Sequence, residues 1–250
     1  MFGGRRKNTK NRENSLENIR QERKHLLTEQ HDFYTMEAYK SLRTNVMFSL
    51  TGESHSKVMM LTSSMQGEGK SITTTNLAIS FAQSDKRTLL IDCDMRRPKL
   101  ARLLGLQAEA GLSNILLQPK LCENAILNTK EPNLKVILAG DIPPNPSELL
   151  GSARMKALLE ALREKFDYIL LDTPPINVVT DAMVLCPQVD GALFVVRSGK
   201  AERGAVMRAV DQLEYAGAKL LGFVLNDVKE SGSTYGNYRG GHYAGHYSDR

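Results

Sequence analysis

Six short, continuous apolar runs divide the chain, and helical patterns separate them. The runs cover residues 57–62, 88–92, 134–139, 166–172, 191–197 and 219–226. Strands that read as continuous apolar runs are buried on both faces, which is typical of a mostly parallel sheet covered by helices. Because strands alternate with helices, the pattern predicts an α/β fold with helices on both faces of the sheet.

The helical patterns lie between and before these runs. They predict helices at residues 72–83, 98–104, 111–118, 147–165 and 202–215. A further helix at about 37–50 precedes the first strand and has one apolar stripe. On another face of it, Glu37, Lys40 and Arg43 are spaced three apart. Taken by itself, this face reads as a solvated charged edge.

The loop between the first strand and its helix carries the strongest chemical signal. Residues 63–71 read Ser-Ser-Met-Gln-Gly-Glu-Gly-Lys-Ser, so a strand, a Gly-containing loop and a helix follow in the order of a phosphate-binding P-loop. Lys70 would reach the phosphates, and the Ser71 hydroxyl would ligate Mg²⁺. Ser64 stands where the strict pattern has its first glycine. The alternative is a strand-turn-helix with an exposed lysine.

Acidic residues mark the ends of two predicted strands. Asp92 and Asp94 follow one apolar run, and Asp172 ends another. Strand interiors disfavour Asp, and ligands bind at the carboxyl ends of strands in an open α/β sheet. Any single Asp could be a capping residue. Together with Gly69-Lys70-Ser71, the three acids predict a nucleotide site at one sheet edge.

Charge is concentrated at the N-terminus. The chain has 250 residues and a net charge of +5, and residues 1–24 hold eight Lys/Arg against three Glu, which accounts for the whole excess. Such an arm could attract anionic lipid or nucleic acid, or could be a solvated leader. The three cysteines share no ligand spacing, which fits a reducing cytosol and argues against a disulfide frame or a structural metal. No apolar run approaches the ~18 residues that span a bilayer.

The last twenty residues have a different composition. Five are Gly, and four of the eight tyrosines of the chain lie here, namely Tyr235, Tyr238, Tyr243 and Tyr247. This tail cannot build a core, so we expect it to be flexible. Its tyrosines could stack on single-stranded nucleic acid, accompany a weak metal site at His242 and His246, or serve as phosphorylation sites.

Four motifs and this tail resemble one family. The motifs are EAYKSLRTN at 37–45, TSSMQGEGKS at 62–71, LIDCDMRRP at 90–98 and YILLDTPP at 168–175. Over residues 34–247 the chain is similar to the bacterial tyrosine kinases (BY-kinases) of capsule and exopolysaccharide assembly. The resemblance implies a P-loop NTPase fold of the deviant Walker A kind, in which a small residue such as Ser64 replaces the first glycine.

The resemblance also implies an activity and roles for residues. It implies an ATP-dependent autokinase that phosphorylates its own tail tyrosines, between subunits, with ATP and Mg²⁺. Lys70 would hold the phosphates, and Ser71, Asp92 and Asp172 would organise the metal. Asp92 is the candidate for positioning or deprotonating the tyrosine hydroxyl, and Asp94 belongs to the same acidic motif. The expected nucleotide contacts are Gln66, Gly67, Glu68, Gly69, Lys70, Ser71, Ile72 and Asn226.

Partners follow from the same resemblance. Glu37, Lys40 and Arg43 match a subunit-contact motif E-x-x-R-x-x-R in which Lys40 departs from Arg, and Lys cannot reproduce the Arg fork. A ring-like homo-oligomer, a membrane-spanning activator of the polysaccharide co-polymerase type and a cognate tyrosine phosphatase are implied, at the cytoplasmic face of the membrane. The expected organisation is a flexible arm at 1–33, a kinase domain at 34–228 and a tail at 229–250.

The rival interpretation is a positioning ATPase of the Min/Par type without kinase activity. Those proteins share the deviant loop and the sheet. They carry a second lysine early in the loop, where this chain has Met65, and they lack a tyrosine-rich tail. A nucleic-acid-binding protein is disfavoured because the chain beyond residue 24 is neutral overall, so no nucleic acid is expected.

Overall fold

The structure is a computed structural model that describes residues 21–27, 31–50 and 56–228. Seven strands form one sheet: β1 Lys57–Ser63, β2 Thr88–Asp92, β3 Leu127–Asn128, β4 Leu134–Ile137, β5 Tyr168–Asp172, β6 Gly191–Arg197 and β7 Leu220–Asn226. Their order across the sheet is β3-β4-β2-β5-β1-β6-β7. Every pair is parallel except β3 with β4, so the predicted mostly parallel sheet is confirmed.

Helices cover both faces of this sheet. They are α1 Phe33–Ser49, α2 Lys70–Ala82, α3 Leu100–Leu104, α4 Leu112–Leu117, α5 Cys122–Ala125, α6 Pro146–Leu150, α7 Ala153–Arg163, α8 Asp181–Leu185 and α9 Arg203–Tyr215, with 3₁₀ turns at Pro119–Leu121 and Cys186–Gln188. One buried cluster joins the sheet to α2 through Leu77 and Phe81. The other joins it to α7 and α9 through Leu159 and Leu213.

Two predicted elements differ in detail. The helix expected over 147–165 is two helices, because α6 ends at Leu150 and α7 begins at Ala153. Ser152 starts the second helix, since its side chain accepts a hydrogen bond from the backbone N–H of Met155. The strand β3 was not predicted, because a two-residue strand leaves no periodic pattern.

The N-terminal arm is packed against the domain where it is described. The backbone N–H of Leu27 donates to the side-chain oxygen of Asn76 in α2 at 2.8 Å, and the Asn76 amide nitrogen donates to the carbonyl of His25 at 2.7 Å. Leu27 is only 6% exposed and belongs to the core on the α2 side. The sequence analysis did not predict this contact, because one leucine among polar residues has no periodicity.

A neighbouring ion pair extends the same contact to α3. Glu22 pairs with Arg102 at 2.6 Å, and the Arg23 guanidinium donates to the Arg102 carbonyl at 2.7 Å. Residues 21–27 therefore link α2 to α3. Residues 1–20 and the tail 229–250 lie outside the described residues, so the expectations for them stay predictions. Within the described ranges, every helix is too short or too polar to cross a bilayer.

Replacing Leu27 by alanine should lower the free energy of unfolding by about 2–3 kcal/mol, because a buried side chain is lost from the core. Urea denaturation of the full chain measures this. The matched control is Leu117→Ala, since Leu117 is 57% exposed and its replacement should cost less than about 0.5 kcal/mol. Equal effects of the two substitutions would contradict the packed arm.

Candidate functional site

The P-loop between β1 and α2 depends on two glycines. Gly67 and Gly69 have φ angles of +82° and +91°, which side chains other than glycine rarely adopt. A Cβ atom on Gly69 would lie 1.9 Å from the Asn226 amide nitrogen, which itself donates to the Glu68 carbonyl at 3.0 Å. The loop and the end of β7 are therefore in direct contact. Because α2 begins at Lys70, its N-terminal N–H groups face the loop.

Glu68 braces the loop from inside. Its carboxylate accepts the Ser64 hydroxyl at 2.9 Å and the Met65 backbone N–H at 2.7 Å, and the residue is buried. Ser64 does not need to be glycine, because its φ is not left-handed and its hydroxyl has this partner. The Glu68 side chain thus contacts the loop itself, and the expected contact of Glu68 with the nucleotide stays a prediction.

Lys70 and Asp172 lie together beneath the loop. Lys70 is 7% exposed, and burial lowers its pKa while the charge of Asp172 opposes that effect. Burial raises the pKa of Asp172 to about 6, against the influence of Lys70 and a hydrogen bond from Ser71. Asp172 Oδ1 accepts a long hydrogen bond of 3.5 Å from Thr74, and Oδ2 lacks a close hydrogen-bond partner among the described residues.

Asp92 lies level with Asp172 on the neighbouring strand, as predicted. The two residues are direct partners in the register of β2 and β5. Asp92 Oδ2 accepts the backbone N–H groups of Lys99 and Leu100 at 3.1 and 3.0 Å, and Oδ1 accepts that of Asp94 at 3.2 Å. Burial, and then the charge of Asp172, raise its pKa well above the ordinary value. Asp92 therefore holds the loop 93–99 and the start of α3 in place.

Two cavities meet at Lys70. The first, which we call the nucleotide pocket, has a volume of about 550 Å³. Six of the expected nucleotide contacts line it: Gly67, Gly69, Lys70, Ser71, Ile72 and Asn226. The second, which we call the side cleft, has a volume of about 500 Å³ and shares Gly67, Lys70 and Lys99 with the first. The two cavities are therefore neighbours along the P-loop and Lys99.

The side cleft has one apolar and one polar wall. Pro174, Pro175, Val178 and Val179 form the apolar wall. The polar wall consists of Gln66, Asp94, Arg96, Arg97 and Lys99. Gln66, which we expected at the nucleotide, lies here and accepts a hydrogen bond from Arg97 at 2.7 Å. Asp94 is half-buried, accepts the Arg97 backbone N–H at 3.0 Å, and has a pKa raised by burial.

The three α1 residues that we expected at a subunit contact, Glu37, Lys40 and Arg43, make different contacts within the chain. Glu37 and Lys40 form an exposed ion pair at 2.7 Å within the helix. Arg43 instead donates from Nη1 to the carbonyl of Ser80 in the last turn of α2. A cation at a helix C-terminus is favourable there. Arg43 is therefore committed to its own chain in this structure.

Several site residues escaped the sequence analysis. Arg197 lines the nucleotide pocket, donates to the Gly67 carbonyl at 2.9 Å and pairs with Asp227 at 2.9 Å. Lys99 borders both cavities. Asp181 is fully buried and pairs with Arg96 at 3.0 Å. A signal was present for Asp181, an acid among apolar residues at a helix start, but the sequence does not indicate its partner.

Comparison with known proteins identifies the family of this chain. The AAA domain family matches residues 56–193. The tyrosine-protein kinase CpsD of Streptococcus agalactiae is 40% identical over 205 residues, which is 82% of this chain and 88% of that protein. The tyrosine-protein kinase YwqD of Bacillus subtilis (strain 168) is 41% identical over 203 residues, or 81% of this chain and 85% of that one.

Similarity to solved structures distinguishes the tyrosine kinases from the Min-type ATPases. The chimerical protein CapA2B2 has a TM-score of 0.77 and 35% identity, over 81% of this chain and 88% of that one. The kinase domain of the Escherichia coli tyrosine kinase ETK has a TM-score of 0.75 and 36% identity, over 80% and 78% of the two chains. The cell division ATPase MinD of Pyrococcus furiosus is more distant, with a TM-score of 0.58 and 27% identity over 68% and 71%.

The kinases therefore match better than the Min-type ATPase in both sequence and structure, and the positioning-ATPase alternative is not favoured. The MinD likeness places the sheet and the deviant loop among P-loop NTPases. The chain belongs to the bacterial tyrosine kinases of capsule and exopolysaccharide synthesis, and it is a protein-tyrosine kinase.

Proposed function

We propose that this kinase transfers the terminal phosphoryl group of ATP to the tyrosines of its own tail, Tyr235, Tyr238, Tyr243 and Tyr247. The observation that carries the proposal is the pair of cavities that share Lys70. A phosphotransferase must hold a donor and an acceptor on either side of one phosphoryl group. An ATPase switch has no need of the second cavity.

The nucleotide pocket fits the donor. The N–H groups of the loop and of the N-terminus of α2 can bind an anion. Lys70 is the first residue of α2 and is buried, so its side chain is held beside these N–H groups. Arg197 adds a second cation on the same pocket. Asn226 contacts the loop beside Gly69 and lines the pocket, which supports a role next to the nucleotide.

The residues present also fit Mg²⁺. The unpartnered Oδ2 of Asp172 and the adjacent Ser71 hydroxyl are hard oxygen ligands at the end of β5 and the start of α2. When bound, the ion would neutralise charge on the phosphates. The described residues contain no cluster of three or more metal-binding His, Cys, Asp or Glu side chains. This suits an ion that takes its other ligands from phosphate and water.

The side cleft fits the acceptor. A tyrosine ring can lie against Pro175 and Val178 with its hydroxyl toward Lys70. Asp94 lines this cleft and is half-buried, so we assign it to accept a hydrogen bond from that hydroxyl. Asp92 already accepts three backbone N–H groups, which supports a positioning role through the loop 93–99 rather than proton transfer.

Assembly and location are part of the proposal. We propose a ring-like homo-oligomer whose contact uses α1, where Glu37 and Lys40 are exposed and Phe33 and Phe48 are 70% and 76% exposed. Phosphorylation would pass between subunits. A membrane-spanning activator of the polysaccharide co-polymerase type would recruit the cytoplasmic chain to the inner membrane face, and a cognate phosphatase would reverse the modification.

Replacing Lys70 by methionine should lower tail phosphorylation by about 100-fold or more, because the cation nearest the transferred charge is lost. Phosphotyrosine mapping of purified protein incubated with Mg-ATP measures this. Lys156→Met, on α7 and outside the linings of both cavities, is the matched control and should leave the modification unchanged. Persistent phosphotyrosine in the Lys70 variant would refute the site assignment.

Removing residues 231–250 should abolish self-modification and leave nucleotide binding intact, because the pocket residues all precede the cut. Binding of a fluorescent ATP analogue and phosphotyrosine blotting test the two halves of this statement. Phosphotyrosine that survives on the shortened chain would show that the acceptors lie elsewhere.

Asp172→Asn should stabilise the metal-free protein at neutral pH. The pKa of Asp172 is about 6 in the folded protein and 3.8 in the unfolded chain. At a pH between these two values, the native state therefore binds more protons than the unfolded state does. The free energy of unfolding of the wild type therefore falls by about 2–3 kcal/mol as the pH rises from about 4 to about 6. The variant lacks this ionisable group, so its stability does not fall for this reason.

Urea denaturation without Mg²⁺ at pH 4, 6 and 7.5 measures this difference. The advantage of the variant over wild type should grow across the series and then level off. A difference that stays constant with pH would contradict the burial of an ionisable Asp172. Added Mg-ATP should stabilise the wild type more than the variant.

A further inference from the structure

A buried carboxylate lies behind the side cleft, outside the phosphate-binding motifs. Asp181, at the start of α8, has no exposed surface. Its two oxygens accept a fork of hydrogen bonds from Arg96, from Nε at 3.0 Å and from Nη2 at 3.0 Å. The Ser147 hydroxyl, at the start of α6, also donates to Asp181. Three separate elements therefore meet at one carboxylate.

This arrangement fixes the orientation of Arg96 but leaves its side chain partly exposed to solvent. A fully buried carboxylate is costly unless a cation and hydrogen bonds compensate it. Here the compensating side chain, Arg96, remains 41% exposed. Its Nε and Nη2 are committed to Asp181, and Nη2 also donates to Ser147 at 3.2 Å. The planar guanidinium is thus fixed in orientation, and Nη1 makes no hydrogen bond to the described residues.

The position of Arg96 indicates which ligand it serves. Arg96 lines the side cleft and does not line the nucleotide pocket. Lys70 and Lys99, in contrast, border both cavities. If Arg96 served only to bind the phosphates of the nucleotide, we would expect it to line the nucleotide pocket. The fixed guanidinium therefore faces the molecule that enters from the cleft side.

We propose that Asp181 is a positioning residue for the acceptor. It holds Arg96 so that Nη1 donates to an oxygen of the segment that presents the tyrosine, either a carboxylate or a main-chain carbonyl. This inference rests on the proposed role of the side cleft as the acceptor site. The hydroxyl would then meet Lys70 and Asp94 in one orientation, with Pro175 and Val178 behind the ring.

The test uses the full chain with all four tail tyrosines replaced by phenylalanine, so that a synthetic peptide of residues 231–250 is the acceptor. Asp181→Asn keeps the shape of the side chain and removes its charge. We expect the KM for the peptide to rise about five- to tenfold, because a misaligned guanidinium loses a directed hydrogen bond. The KM for ATP should change less than about twofold.

The matched control is Asp190→Asn. Asp190 forms a comparable fork with Arg163 at 2.8 and 3.1 Å, away from both cavities. This variant should leave both KM values unchanged, which separates a positioning effect from general loss of an Asp–Arg pair. Thermal denaturation of each variant records any loss of folded protein.

Arg96→Gln, at a half-exposed side chain, provides a second route if Asp181→Asn folds poorly. The double variant should be no worse than either single variant, because Asp181 acts through Arg96. A second peptide with Asp249→Asn and an amidated C-terminus carries no carboxylate, so it distinguishes the two oxygen sources. A smaller effect of Asp181→Asn on this peptide assigns the contact to the carboxylate, and an equal effect assigns it to the main chain.

Three results would overturn the inference: an unchanged peptide KM in both single variants, an equal rise in the KM for ATP, or additive effects in the double variant. Failure of the proposed function looks different. If the chain with native Asp181 does not phosphorylate the peptide at all, both proposals fall, whereas normal peptide turnover with an insensitive KM removes only the role of Asp181.

Discussion

Two carboxylates buried side by side constrain the rest of this site. Asp92 and Asp172 are register partners on adjacent strands, and each has its pKa raised chiefly by burial. Like charges at this distance in a dry interior cannot both be ionised without compensation. The fold compensates them differently, with backbone N–H groups around Asp92 and with Lys70 and Ser71 around Asp172. Asp92 thus accepts backbone N–H groups on both oxygens, whereas one oxygen of Asp172 has no hydrogen-bond partner among the described residues.

This division explains the organisation of the surrounding loops. Because Asp92 caps the start of α3, the loop 93–99 is closed over the sheet edge and brings Asp94 and Arg96 to the side cleft. Asp172 lies beneath the P-loop beside Lys70 and keeps one oxygen without a hydrogen-bond partner among the described residues. Two acids that look equivalent in the sequence therefore have different surroundings in the folded protein.

Much of this was accessible from the sequence. Apolar runs located six of the seven strands, and the acids at their ends converge because parallel strands bring their carboxyl ends to one edge. What escaped was set by single long-range contacts. Leu27 packs on α2 through one leucine, Arg43 turns to the Ser80 carbonyl, and the Glu68 side chain turns inward. None of these contacts produces a periodic pattern or a characteristic spacing in the sequence, so they are recognised only in the three-dimensional structure.

The contact between Gly69 and Asn226 links the phosphate-binding loop to the point where the chain leaves the domain. Asn226 and the following Asp227 both line the nucleotide pocket. The chain therefore leaves the domain at the nucleotide pocket, and the first tyrosine of the tail, Tyr235, follows Asp227 by eight residues. A shortened chain that ended ahead of Asn226 would lose a wall of that pocket, so defects in such a chain would report damage to donor binding and not merely the absence of acceptors.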